Sequence, residues 1–187
     1  MTPAPLVILD EIDSTNAEAR RLAEAGEAGP RWIVARRQTA GRGRRGRKWE
    51  TEQGNLAATL LITTPKSAAE AAQATFVAAL AVADLLDVFV SPALVSIKWP
   101  NDVLLDGVKV SGILVESGAH ASGDLWLAVG IGVNLAHAPD NTERGATAVA
   151  ERLRADLAFA PPIEAAAEIL AETFAVWWGR WQTLGFE

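Results

Sequence analysis

Val103-Leu-Leu-Asp106-Gly107-Val108-Lys109-Val110-Ser111-Gly112-Ile113-Leu114-Val115-Glu116 decides the fold class. Two apolar runs flank Asp-Gly, a pair that readily takes the positive φ angles of a two-residue turn, so the stretch predicts an antiparallel β-hairpin. Alternation along the second arm puts Lys109, Ser111, Ile113 and Val115 on one face. Gly112 inside that arm marks a bulge or a place where something packs against the backbone. Outward from the hairpin, short apolar runs at 6–9, 32–35, 56–62, 94–98 and 125–133 read as further strands. Helical patterns cover 17–25, closed by Gly26, then 67–88, 147–157 and 163–182, the last carrying Trp177, Trp178 and Trp181. Strands interleaved with helices, with an antiparallel hairpin among them, predict an α/β (α+β) fold with a mixed β-sheet flanked by helices.

The chain has 187 residues, 50% hydrophobic and 21% charged. That suits one domain with a continuous core. The absence of Cys excludes thiol catalysis, thiolate metal sites and disulfides. His120 and His137 are too few for a multi-histidine metal centre, and neither is given a role. No apolar run is expected to approach the roughly 20 residues of a bilayer span, so no membrane partner is expected. The residues before Leu6 lack a basic leader pattern, and cytoplasmic residence is the expectation.

Charge is unevenly placed. Arg36, Arg37, Arg42, Arg44, Arg45, Arg47 and Lys48 fall together with no acid among them; removing these seven from a net charge of −6 leaves −13 elsewhere. General attraction to nucleic acid is disfavoured, and local capture of a small anion is favoured.

Within this segment, Gln38-Thr-Ala-Gly41-Arg42-Gly43-Arg44-Arg45-Gly46-Arg47-Lys48-Trp49 is unsuited to a helix or strand interior. Its glycines let backbone amides approach a ligand, and its arginines suit phosphate and carboxylate oxygens. Trp49 offers a flat surface that could stack on a ring. Neither GxxxxGK[ST] nor the dinucleotide fingerprint is present.

Lys98-Trp99-Pro100-Asn101-Asp102 ends a strand and offers an amide and a carboxylate at a sheet edge, suited to Mg²⁺ or phosphate or simply to a turn. Lys109 follows across the hairpin turn, where it could meet a carboxylate. Gly130-Ile131-Gly132-Val133-Asn134 places small residues in a strand and an amide at its end.

Gly41–Trp49, Lys98–Asp102 and Lys109–Glu116 resemble the defining motifs of the biotin–protein ligases, in the family's order and spacing. Ser14-Thr15-Asn16 and 130–134 fit as well, so the resemblance covers the chain from about Leu6 onward. It implies a class II synthetase-like biotin/lipoate ligase catalytic domain over 1–187, of the monofunctional type. The N-terminal winged helix is expected to be absent, hence no DNA partner, and the small C-terminal β domain absent or truncated. It implies an enzyme that joins biotin to ATP as biotinyl-5′-adenylate, with Mg²⁺, and transfers biotin to a lysine of a biotin carboxyl carrier domain. It leaves room for a homodimer.

By the same resemblance Ser14, Thr15, Asn16, Gln38, Gly41, Arg42, Gly43, Arg44, Lys109, Gly112 and Gly130 surround biotin. Arg44, Arg47, Trp49, Asn101 and Asn134 surround ATP or the adenylate. Arg42, Lys109 and Asp102 form the catalytic set, with Lys109 on the biotin carboxylate and Asp102 toward metal or acceptor amine; metal ligands are not assigned. The rival readings are a ligase for another acid, such as lipoate, and a non-catalytic module that binds biotin, its adenylate or nucleic acid.

Overall fold

A computed structural model describes residues 3–51, 53–140 and 145–185. Seven strands form one sheet in the order β1-β2-β3-β7-β6-β5-β4. They are β1 (Leu6–Leu9), β2 (Arg31–Ala35), β3 (Leu56–Thr64), β4 (Val95–Lys98), β5 (Asp102–Leu105), β6 (Val108–Ala119) and β7 (Leu125–Val133). β1 runs parallel to β2; every other neighbouring pair is antiparallel. The expected hairpin is β5–β6, and its turn has φ angles of 54° at Asp106 and 76° at Gly107, the left-handed values that match strand twist.

Alternation divides the sheet into two faces. Trp32, Leu60, Val129 and Ile113 point to the face covered by α3 (Ala74–Asp87) and α4 (Ile163–Leu184), where Phe174 and Trp178 complete the main core. On the other face α1 (Thr15–Glu24) packs Ala19 and Ala23 against Ile33, Leu61, Trp126 and Ala128. That short helix covers only part of its face, and beyond its N-terminus the sheet lies open as a cleft.

Four expectations are corrected. The helix expected over 67–88 is two: α2 (Ala68–Ala71), started by a Ser67/Glu70 capping box, and α3. Gln73 lies between them, its side chain accepting the Trp181 Nε1–H at 2.8 Å. Ala68–Asp87 is also long and apolar enough, by length and composition, to match a bilayer span. Core packing accounts for that character, since Val77, Ala78, Ala81, Val82, Leu85 and Leu86 are buried under the sheet and α4.

The helix expected over 147–157 is a single tight turn at Val149–Glu151. The Val149 and Ala150 amides bond to the carbonyls of Asn134 and Leu135, and that of Arg154 to Phe89, so tertiary partners override helix propensity. Finally, simple alternation fails at Lys109. The β5–β6 register pairs Val103 with Ser111 but Leu104 with Lys109, leaving Val110 as a bulge. Val110 enters the core with Ile113, and Lys109 turns to the open face beside Gly112.

Candidate active site

The floor of the cleft is built from small residues in register. Ala57, Gly132 and Gly112 form one row across β3, β7 and β6; Thr59, Gly130 and Leu114 form the next. A side chain on Gly132 would strike the indole of Trp49, and one on Gly112 would lie 3.0 Å from the same indole and 3.1 Å from Lys109 Nζ. The glycine pair is thus a flat seat for Trp49. In the second row, a Cβ on Gly130 would lie 2.8 Å from Asn16 Cγ, so the space left there is filled by the Asn16 amide.

The wall on the α1 side is the helix start. Ser14 caps it by accepting the Ala17 N–H at 3.4 Å. Asp13 accepts the Ser14 N–H at 2.7 Å and two guanidinium bonds from Arg21 at 2.9 and 2.8 Å. The Arg21 bonds hold its carboxyl down at about 2. Gln38 crosses from the strand-like segment after β2, accepting the Thr15 N–H at 2.8 Å and donating to Thr51 at 3.0 Å.

The basic loop covers the opposite side. Its ends are tied by the Trp49 N–H to Gly41 carbonyl bond at 3.0 Å and by Gly43 N–H to Arg47 carbonyl at 2.7 Å. A Cβ on Gly41 would strike the Trp49 carbonyl, which explains the glycine at this tie. Arg44 donates to Asn101 Oδ1 at 2.9 Å, and Asn101 Nδ2 donates to the Ile113 carbonyl at 3.1 Å. Lys109 Nζ pairs with Asp102 at 2.7 Å and stands 5.5 Å from the Trp49 ring centroid.

The seven-cation cluster is partly dispersed. Arg36 pairs with Asp10 and Glu164, Arg37 with Glu11, and Lys48 with Glu50. Arg42, Arg44 and Lys109 are the cations that line the cleft.

The cleft is open to solvent and holds about 470 Å³ of space between its walls and the bulk. Ser14, Thr15, Asn16, Gln38, Arg42, Gly43, Arg44, Trp49, Asn101, Lys109, Gly112 and Gly130 all line it. Gly41 and Asp102 stand one contact behind, through Trp49 and Lys109. Asn134 is buried behind β6, donating to the Thr147 carbonyl at 3.1 Å, and its Oδ1 has no partner among the described residues. Arg47 forms part of the loop but not of the lining.

Ala57, Leu114 and Gly132 also line the site, and Thr59, Glu116 and Asn55 support it. Thr59 interrupts an apolar strand and is fully buried, the one signal in its sequence. Asn55 Oδ1 accepts the amides of Leu135, Ala136 and His137, an arrangement with no local sequence cue.

Three motifs far apart in sequence therefore converge on one cleft. Residues 9–134 match the biotin/lipoate A/B protein ligase family. The chain belongs to that family. It is 48% identical over 182 residues to the biotin–[acetyl-CoA-carboxylase] ligase of Paracoccus denitrificans, spanning 96% of this chain and 75% of that one. Among solved structures it resembles the biotin protein ligase of Aquifex aeolicus in complex with biotin and ATP: TM-score 0.77, 30% identity, 96% of this chain and 72% of that one. The Leishmania major biotin protein ligase in complex with biotinyl-5-AMP gives a TM-score of 0.75 at 28% identity, covering 94% and 75%. The expected family and fold are both borne out.

Proposed function

We infer that this protein is an ATP-dependent biotin ligase, forming biotinyl-5′-adenylate and passing biotin to a lysine of a biotin carboxyl carrier domain, and that residues 1–187 act as one catalytic domain. The observation that carries this reading is the convergence of 14–16, 41–49 and 98–116 on a single cleft, with Lys109 among the residues that line it. The relatives' activity and bound molecules support it.

The chemistry suits the groups present. A biotin carboxylate oxygen attacks the α-phosphorus of ATP, the bond to the bridging oxygen breaks, and pyrophosphate leaves with that electron pair. Both reactants are anions, and Lys109, Arg42 and Arg44 offset their repulsion and stabilise the charge of the transition state. Lys109, held by Asp102, meets the biotin carboxylate; Arg44, held by Asn101, meets the phosphates. Trp49 on its glycine seat covers the adenylate and limits its hydrolysis by water.

The acceptor lysine, as a free amine, then attacks the acyl carbon, loses a proton and releases AMP. No side-chain nucleophile is needed, and catalysis rests on placement and charge. Among the described residues no group of three or more His, Asp or Glu gathers at the cleft, and Asp102 is already paired. Magnesium is therefore read as part of the Mg·ATP substrate, held chiefly by phosphate oxygens and water.

Biotin-dependent ATP–pyrophosphate exchange tests this half-reaction. Exchange that requires biotin supports it. Exchange driven by lipoate and not by biotin would move the substrate assignment to another acid, and no exchange with any acid would reject the enzyme reading.

A further inference from the structure

Thr59 is fully buried beneath the cleft, in an otherwise apolar stretch of β3. The hydrogen bonds around it have a forced direction. Asn16 Nδ2 reaches the Glu116 carboxylate at 2.7 Å and the Leu114 carbonyl at 3.3 Å, both acceptors only. Asn16 Oδ1 therefore faces Thr59 Oγ1, 2.7 Å away, and must accept its single proton. Thr59 Oγ1 also lies 2.7 Å from Thr15 Oγ1, so the proton in that contact comes from Thr15. With its proton committed, the Thr15 hydroxyl has none for Gln38 Oε1 at 3.1 Å, and that oxygen takes the Thr15 backbone N–H instead. Thr15 Oγ1 and Gln38 Oε1 are left as lone-pair acceptors, on two residues that line the cleft.

We propose that Thr59 is a positioning residue that draws the Thr15 proton inward, so that this end of the cleft offers acceptors to the ring N–H groups of a cyclic urea. The inference rests on the biotin reading of the site and explains how that reading obtains its polarity. Glu116 orients the far end of the relay, and Gly130 leaves the room the Asn16 amide needs.

The test uses the full chain as wild type, Thr59→Val and Thr59→Ser, with biotin titrated by calorimetry and KM measured separately for biotin and ATP. Valine keeps the shape, leaves Asn16 Oδ1 unpaired and frees the Thr15 proton to turn to Gln38 Oε1, 3.1 Å away, which takes up the lone pair that oxygen would offer the ligand. Its biotin Kd should rise about tenfold or more, while KM for ATP stays within about twofold. Serine restores the hydroxyl and should return biotin binding to within about threefold of wild type. If the valine variant lacks a cooperative melt, Thr59→Ala takes its place.

Wild-type affinity in the hydroxyl-free variant would overturn the inference, as would a serine variant as weak as valine. Parallel loss of biotin and ATP would also overturn it, since general loosening predicts that. A wild-type chain that binds no biotin would overturn the biotin reading and this inference together; biotin binding that is indifferent to Thr59 overturns the inference alone.

Discussion

Replacing Gly132 with alanine adds one methyl group to the cleft floor and removes no hydrogen bond or charge. An ideal Cβ there lies 2.5 Å from Trp49 Nε1, and the three nearest atoms all belong to that indole. Carbon contacts settle at about 3.5–4.0 Å, so the indole must retreat by about 1 Å or more. The backbone at 132 is ordinary strand, paired with Ala57 and Gly112, and no backbone atom is among those nearest contacts. Alanine should therefore leave the sheet intact and gain about 0.4–1 kcal/mol from the less flexible unfolded chain. For a chain of this size that is a rise of about 1–4 °C in Tm.

A displacement of about 1 Å in a group that covers the reacting centre costs about a hundredfold in rate. Biotin-dependent ATP–pyrophosphate exchange and a thermal melt, run on the same samples, separate the two effects. The expected outcome is exchange reduced by about ten- to a hundredfold with the melt held or raised. Wild-type exchange would refute the argument that the indole's seat matters to the chemistry. A collapsed melt would refute the argument that the loop yields rather than the sheet.

Arg44→Ala should slow adenylate formation by about tenfold or more while calorimetric biotin affinity changes little, because its partner Asn101 lies on the phosphate side of the proposed ligand path. Equal losses in both would count against that division. Asp13→Asn should lower stability slightly at neutral pH: the Arg21 bonds depress the Asp13 pKa from 3.8 to about 2, so their contribution is present above 3.8 and lost as pH falls through about 2. Both partners are nearly half exposed, which limits the effect to about 1 kcal/mol or less. Melts of the two proteins from pH 7 to pH 2 should converge at the acid end; a constant gap would contradict the assignment.

Much of the fold is legible because local chemistry and tertiary structure agree. Asp106-Gly107 demands a tight hairpin turn, and the Trp-bearing pattern of α4 runs from Ile163 as expected. The site is legible where its residue types are unusual: a Gly/Arg loop cannot serve a core. What escapes has no one-dimensional signal. The bulge at Val110 reverses the face of Lys109, and nothing in an alternating pattern announces the extra residue. The residues 147–157 have good helix formers, yet their amides are claimed by Asn134, Leu135 and Phe89 across the fold. Arg36 and Arg37 add to the apparent charge of the loop, but each is matched by acids whose proximity only the folded chain creates.

One cleft, lined by Lys109, is proposed to activate biotin and hand it to a carrier lysine. The most direct measurement is a streptavidin blot of a biotin carboxyl carrier domain incubated with the chain, biotin and Mg·ATP, using wild type and Lys109→Ala. Lys109 is held by Asp102 at 2.7 Å beside Trp49, so removing it leaves Asp102 without that partner at the edge of the cleft. Wild type should label the carrier in an ATP-dependent way, and the variant should label it about a hundredfold less or weaker still. Equal labelling by both proteins would contradict the role of Lys109, and no labelling by wild type would contradict the ligase itself.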